Sequence, residues 1–551
     1  MAEISGLIFG AASALSTLRG ALDTALLIDD YYDDDKSNCS YLALRYHIQK
    51  VYLELWRQVY HVDDPSKCPL ADEPEGIQQL VVPVLAQITR LLNELQKLVE
   101  KHGIESPRLP LVDPDNAPQT TGALIKALSE VTVKPKSKFL WTIKGKAEFE
   151  EKVSKINALF TVLKSLTVDT PELRSIDGAL PSMSLKPITN TKMLQTLSKP
   201  EAEDNTTLAM SARAKLFQAD SVHPLGAPVT MIKGEELELR KTSSNLGILK
   251  SSGRKATSVW IEWNTIGGGD TSSEYISRVK ALGYLLEKAS DPALHLPICY
   301  GIFDDLEYHI NFKARRVGYV FGAPHTRSPS LNPSAEPLLP MYETNLCDHP
   351  PRKLSQLIGD KRFPIPLLGD RFALAFTLAT SFSNFHSAGW LHKGFHTGNI
   401  IFLEHASSQE KAIRVTDPFI AGFQYARPTC VHSLSRGPLE DNELEYYYHP
   451  AAEKGFSRCI DLYSLGVVLC EIGRWALVGS TVRRKMADRT EWHSYLRSKV
   501  LSEMGWRMGK RYQSAVRTLL DCQLPDDEGS SDFFEREYFE KVIQPLSECS
   551  V

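Results

Sequence analysis

Leu44, Ile48, Val51, Leu55 and Val59 fall at steps of three and four, which stacks them on one helical face. The same step runs through Val84, Ile88, Leu91, Leu95 and Leu98, and again through Phe149, Val153, Ile156, Phe160 and Leu163. An acidic turn (Asp29, Asp30, Asp33, Asp34, Asp35) and a Pro-rich loop from Ser106 to Pro118 separate these stretches. Amphipathic helices joined by polar connections predict an all-α bundle over residues 1–170. The periodicity then breaks. Over residues 171–228 Pro, Ser, Thr and Asn dominate, as in Leu180-Pro-Ser-Met-Ser-Leu-Lys-Pro, and the segment reads as a linker, partly docked on the next domain. Beyond it Ser258–Trp263 and Arg316–Phe321 pattern as strands and Tyr275–Ala289 as a helix, while after Leu368 the chain is mostly helical. The fold class expected is multidomain: an all-α bundle, then an α+β region over 229–551. That region has a strand-rich small lobe, 229–325, and a helix-rich large lobe, 326–551.

A length of 551 residues fits several domains, and a formal net charge of -4 provides no basic field for nucleic acid. The nine cysteines are scattered, odd in number and contain no Cys-x-x-Cys pair, which excludes a disulfide framework or zinc site of recognisable spacing. Reduced thiols and a cytoplasmic location are the expectation. No run approaches the ~20 apolar residues of a membrane span. Residues Ile4 to Leu18 are apolar or small, but Glu3 stands where a secretory signal would carry a base, so a buried first helix is predicted.

The most specific segment is Leu391-His392-Lys393-Gly394-Phe395-His396-Thr397-Gly398-Asn399, running into the apolar Ile400-Ile401-Phe402. A helical stretch from Phe372 to Ala388 precedes it, and Asp461-Leu-Tyr-Ser-Leu-Gly-Val-Val-Leu469 lies downstream. In order and separation these pieces resemble the protein-kinase helix, catalytic loop and anchoring helix, over about 300 residues. The resemblance implies that Asn399 stands at the second metal position and that Asp461 holds the loop backbone. The departures are systematic. The His-Arg-Asp triplet appears as His392-Lys393-Gly394, which removes the carboxylate that faces the acceptor hydroxyl. The magnesium motif fits two registers: Ile420-Ala-Gly422-Phe423-Gln-Tyr-Ala-Arg427, with Gly422 in place of the aspartate, or Ile413-Arg-Val-Thr-Asp417-Pro-Phe419, which keeps Asp417. The first is favoured because its match extends through Arg427. The phosphate-pairing lysine should fall within Val259-Trp-Ile-Glu262-Trp-Asn264, where neither Glu262 nor Asn264 can serve. No G-x-G-x-x-G loop precedes that strand; Gly247 and Gly253 are isolated. Phosphoryl transfer depends on positioning and charge neutralisation, and losing base, lysine and glycine loop together predicts a pseudokinase. No cofactor is expected; residual ATP and Mg²⁺ would fall to Asn399 and Asp417.

Four further features make the large lobe similar to the kinase-like C-terminal domain of many fungal proteins. These are Glu262-Trp263, the run Gly422 to Pro428, Tyr447 to Pro450, and Asp461 to Gly466. Gly6-Leu-Ile-Phe-Gly-Ala-Ala-Ser-Ala-Leu15, Leu44 through Trp56, and Trp141-x-x-Lys-x-Lys-x-x-Phe149 resemble the HeLo, or prion-inhibition-and-propagation, domain. That resemblance implies fungal self/non-self recognition and regulated cell death, with a bundle that can release its first helix into membranes. A helical bundle governed by a dead kinase also looks like the mixed-lineage-kinase-domain-like necroptosis executioner. The final patterned stretch, Phe534 to Leu546, is helical in character and not a Gln/Asn-rich amyloid tail. Membrane contact would fall to Ile4, Leu7 and Ile8 together with Lys134, Lys136, Lys138, Lys144 and Lys146, at ~1 kcal/mol per charge on anionic lipid. The expected partners are therefore an unnamed protein, an anionic membrane such as the plasma membrane, and a second copy through the bundle. Two rivals stand beside this reading: a degenerate but active ATP-dependent kinase using Asp417, and a non-catalytic adaptor using both domains as binding surfaces.

Overall fold

The structure is a computed structural model that describes parts of residues 48–94 and, apart from short gaps, residues 146–199, 206–221, 229–324, 341–428, 444–479, 488–525 and 531–550. The chain divides into two compact units, residues 1–196 and 197–551.

In the first unit, α1 (Lys146–Leu166) turns Val153, Ile156, Phe160 and Leu163 inward, the face its three-four spacing predicts. Helical residues between 48 and 59 supply the opposing side chains: the Tyr52 and Phe160 rings meet edge-on at 5.2 Å, and Gln49 donates to Asn157 at 3.4 Å. The segment read as a linker is largely helical instead, with α2 (Pro171–Leu185), α3 (Thr191–Leu197) and, in the second unit, α4 (Thr206–Ser221). Local chemistry explains the difference. Thr170 caps α2 by accepting from the Leu173 amide at 3.1 Å, and Pro171 sits at the first turn, where its missing N–H costs nothing. Ile176, Ala179, Leu180 and Leu185 are buried, and Ser182 donates to the Ala179 carbonyl at 3.0 Å, so its hydroxyl is satisfied inside the helix. Ile4, Leu7, Ile8, Lys134, Lys136, Lys138 and Lys144 lie outside the described residues, and Lys146 is the first residue of α1.

The second unit begins with a six-stranded sheet in the order β1 (Met231–Ile232), β5 (Ile298–Asp304), β6 (Arg315–Gly322), β4 (Thr257–Ile266), β3 (Ser243–Leu249), β2 (Leu237–Arg240). All neighbours are antiparallel except β1 and β5. Ile232, Leu237, Val259, Ile261, Phe303 and Val320 form its core. The helix α5 (Ser273–Ala289) lies between β4 and β5 in sequence and packs Val279, Leu282, Leu285 and Leu286 inward. At Gly283 a Cβ would come within 2.5 Å of Ile302, so glycine is what lets this helix approach the sheet. On its other side α4 packs against α5, with Phe217 and Tyr284 edge-on at 5.6 Å.

After the short α6 (Leu306–Phe312), the chain enters its helical part: β7 (Arg352–Lys353), α7 (Leu354–Gly359), α8 (Leu368–Ser387), β8 (Trp390–Leu391), β9 (Ile400–Phe402), β10 (Phe419–Ile420), β11 (Arg427–Pro428), α9 (Arg458–Arg474), α10 (Arg489–Tyr495), α11 (Leu501–Leu520), α12 (Ser531–Tyr538) and α13 (Gln544–Ser547). Nearly all of α9 is buried between α8 and α11, including Leu462, Leu465, Val468 and Leu469. Tyr512 and Tyr538 reach carbonyls of neighbouring helices, Leu469 and Ala379, at 2.8 and 2.9 Å. The buried Arg458–Glu535 pair closes the base of α9 at 2.8 Å, and Arg458 also donates to the His386 carbonyl at 3.3 Å. The short strands β8 to β11 hold the loop between residues 391 and 428 against this helical body.

Candidate functional site

The loop after β8 is fixed by one carboxylate. Asp461, in the first turn of α9, is fully buried and accepts from the His392 and Lys393 amides, both at 2.8 Å, and from His386 Nε2 at 3.0 Å. Burial would raise its pKa; the bond from His386, the nearby imidazoles and the loop amide outweigh that and hold it below the usual carboxylate range. Lys393 has a left-handed backbone, φ 62°, and its carbonyl accepts from the Tyr448 hydroxyl at 2.9 Å. Its ammonium lies 5.2 Å from the centre of the Phe456 ring. His392 donates from Nε2 to the Ala421 carbonyl at 2.9 Å, and its ring packs among Phe382, Phe395 and Phe423. Burial lowers the pKa of His392 and pushes His396 down to about 3. Both rings are therefore neutral at ordinary pH.

Asn399 closes the loop. Its Nδ2 donates to the Gly394 carbonyl at 2.7 Å, and its backbone carbonyl accepts from the Ala421 amide at 2.8 Å. The pairing of β10 with β9, Phe419 to Ile401 and Ile420 to Ile400, delivers Gly422 beside Asn399. A Cβ on Gly422 would lie 2.1–2.3 Å from the Asn399 side-chain atoms, and the glycine has φ 76°. A side chain there would have to displace the Asn399 amide and adopt a left-handed backbone that glycine takes at least cost. At Gly394 a Cβ would meet the Tyr425 ring at 3.0 Å. The Gly422 amide donates to Glu262 Oε2 at 2.8 Å, so a carboxylate from β4 occupies the place where the phosphate-pairing lysine was sought. Burial raises the pKa of Glu262, while the Gly422 amide opposes the shift.

Asp417 sits two residues before β10. Its carboxylate contacts the buried His405 Nε2 at 3.0 Å, and the neighbouring Pro418 carbonyl meets His295 Nδ1 at 3.1 Å. The structure thus gathers His392, Lys393, Gly394, Asn399, Gly422 and Asp461 into one cluster, with Asp417 held in a separate polar contact on the far side of β10. Only Lys241 and Thr242 separate β2 from β3, leaving no glycine-rich loop between them; Gly247 lies within β3, opposite Val259 and Leu239. Gly253 and Gly267 to Gly269 lie outside the described residues.

Motif matching does not single out a second polar group, centred on Glu471. Buried on α9, Glu471 accepts from the Tyr447 hydroxyl at 2.9 Å and the Val478 amide at 2.8 Å, and Tyr447 in turn meets Thr397 at 3.2 Å. Burial pushes its carboxyl up to about 7. The signal available in the sequence is a lone charge inside the apolar run Val467-Val-Leu-Cys-Glu471-Ile, which in a helix interior requires a partner. Among the described residues no helix is long and apolar enough to cross a membrane, and no cluster of His, Cys, Asp and Glu is placed to hold a metal ion.

Residues 6–197 match the HeLo family model, described as prion-inhibition and propagation. That match runs through α2 and ends at the last residue of α3. No curated protein matches the chain. Among solved structures the chain is similar to a crystallised kinase domain at 11% identity and a TM-score of 0.30, covering 58% of this chain and 88% of that one. A likeness of that size carries no argument; the kinase-like layout stands on the sheet, the 391–399 loop, β9, β10 and the Asp461 anchor.

Asp461→Ala leaves two loop amides and a buried imidazole without their acceptor and should destabilise the fold by about 3–5 kcal/mol in urea unfolding. Glu471 has a folded pKa of about 7 against an ordinary 4.5, so its contribution is fully present below 4.5 and lost as pH rises through about 7. Urea midpoints measured from pH 4.5 to 8 should therefore fall more steeply for wild type than for Glu471→Gln.

Proposed function

We propose that the second unit is a pseudokinase that acts as a conformational switch on the HeLo region, in a cell-death or incompatibility response. One observation carries the non-catalytic part of this reading. The Asn399 side chain fills the space into which a magnesium-binding aspartate at position 422 would project, and Glu262 holds the adjoining amide. A carboxylate at that point repels triphosphate where a kinase needs a cation, and a glycine at 394 gives the acceptor hydroxyl no base. Compensation by Asp417 would require it to leave His405. The switch would work through a partner or ligand with different affinity for two states of this unit, since only differential binding shifts such an equilibrium. The HeLo match supports the choice of what is switched, and the lysines between Lys134 and Lys146 would favour an anionic membrane surface.

Titrating the full chain with ATP and Mg²⁺ should leave its melting temperature unchanged, and no autophosphorylation should appear in wild type or in the Gly394→Asp/Gly422→Asp variant. Metal-dependent phosphate transfer that disappears in Asp417→Ala would establish the active-kinase reading instead. The 551-residue chain should bind phosphatidylserine vesicles more tightly than neutral ones, and replacing Lys134, Lys136, Lys138, Lys144 and Lys146 by Gln should weaken binding by about tenfold or more. Equal binding to both vesicles, or none, would favour the adaptor.

A further inference from the structure

Residues 341–349, just before β7, form a finger whose two ends rest on the helical part of the unit and whose tip touches the sheet. The ends are pinned by backbone to residues 400–406. The Glu343 amide donates to the Glu404 carbonyl at 2.8 Å, the Ala406 amide donates to the Met341 carbonyl at 3.0 Å, and β7 pairs Arg352 with Phe402. Tyr342 is buried there, its ring 5.5 Å from that of Phe419 and 5.0 Å from that of His405. His349 closes the base on Glu404 at 2.7 Å. The tip is a turn that bonds to itself: the Asp348 and His349 amides both donate to the Asn345 carbonyl, and Asn345 Nδ2 donates to Asp348 at 2.8 Å.

The tip meets the sheet differently. Ser258 of β4 accepts from the Cys347 amide at 3.0 Å and donates to its sulfur at 3.3 Å, while Arg240 of β2 donates to the Cys347 carbonyl and pairs with Asp348 at 3.5 Å. Each of these bonds is made by a side chain reaching from the sheet, and the Arg240–Asp348 pair is exposed, where an ion pair contributes little. The finger is thus held by backbone on one side and by a few side chains on the other. Along β4 side chains alternate, so Ser258, Trp260 and Glu262 share a face, with Ser258 ~13 Å from Glu262. Glu262 grips the Gly422 amide at one end of that face, and the finger grips Ser258 at the other. We infer that the finger is a latch between the sheet and the helical part. It lets go at Ser258 and Arg240, stays with residues 400–406 as a body, and leaves the Glu262–Gly422 contact as the pivot. A latch of this kind supplies the second state that a switch requires. Its purpose rests on the switch reading; its existence does not.

The test uses the 551-residue chain, with Cys347 alkylation and amide hydrogen exchange followed peptide by peptide in a mass spectrometer. Ser258→Ala should speed alkylation of Cys347 by about tenfold and raise exchange over residues 345–349, with exchange in α9 unchanged. Arg240→Ala should do the same to a smaller degree, since its pair is exposed. In Ser258→Cys, mild oxidation should join position 258 to Cys347, and the oxidised protein should exchange more slowly over 345–349 than its reduced form. Under the switch reading, the oxidised form should also differ from the reduced one in binding phosphatidylserine vesicles. Slowed exchange with unchanged vesicle binding would count against that reading and leave the latch standing. Cys347 alkylation unchanged in both Ser258→Ala and Arg240→Ala, no cross-link in Ser258→Cys, or exchange in α9 rising in step with the finger would overturn the latch.

Discussion

The buried carboxylate of Asp461 is the contact on which the rest of the kinase-like unit depends. An ionised group with no exposure is tolerated only when its acceptor sites are filled, and here two backbone amides and one imidazole fill them. That arrangement fixes the backbone at residues 392 and 393, including the left-handed turn at Lys393. From there the order is sequential. His392 reaches Ala421, Asn399 ties Gly394 to the strand that leads to Gly422, and the Gly422 amide ends on Glu262. The loop backbone is thereby held at both ends by buried hydrogen bonds.

The positions around Gly394 and Gly422 are packed by other side chains. Asn399 lies across the space above Gly422, the Tyr425 ring stands against Gly394, and Glu262 takes a position where a lysine was sought. Each is held by a hydrogen bond or a van der Waals contact, so these positions are packed and not open. A side chain at 422 would first have to displace the Asn399 amide. The positions are coupled, because Asn399 bonds to Gly394 and lies beside Gly422, whose amide ends on Glu262.

The elements themselves were legible where periodicity was strong. Val153, Ile156, Phe160 and Leu163 on α1, the strands around Trp260 and Tyr319, and the helix ending near Ser387 all arise from apolar spacing. The helices between 171 and 221 were not, because Pro171, Pro181 and many hydroxyl residues look like a linker until capping and burial are known. Proline at a first turn and serine bonded to its own helix are compatible with helix, and the composition alone does not distinguish the two cases.

By itself the sequence determined the loop from 391 to 399 with glycine at 394, the strand that carries Glu262 and Asn264, and the helical character of its N-terminal region, because these are matters of residue identity and local spacing. Only the tertiary structure decided what packs against Gly394 and Gly422, where Asp417 and Gly422 lie relative to Asn399, and that Glu471 is buried against Tyr447. The physical reason is distance along the chain. Gly422 and Glu262 meet across 160 positions, and His392 and Asp461 across 69. A hydrogen bond of that span leaves no periodic trace in either segment, so it is written only in how the elements pack.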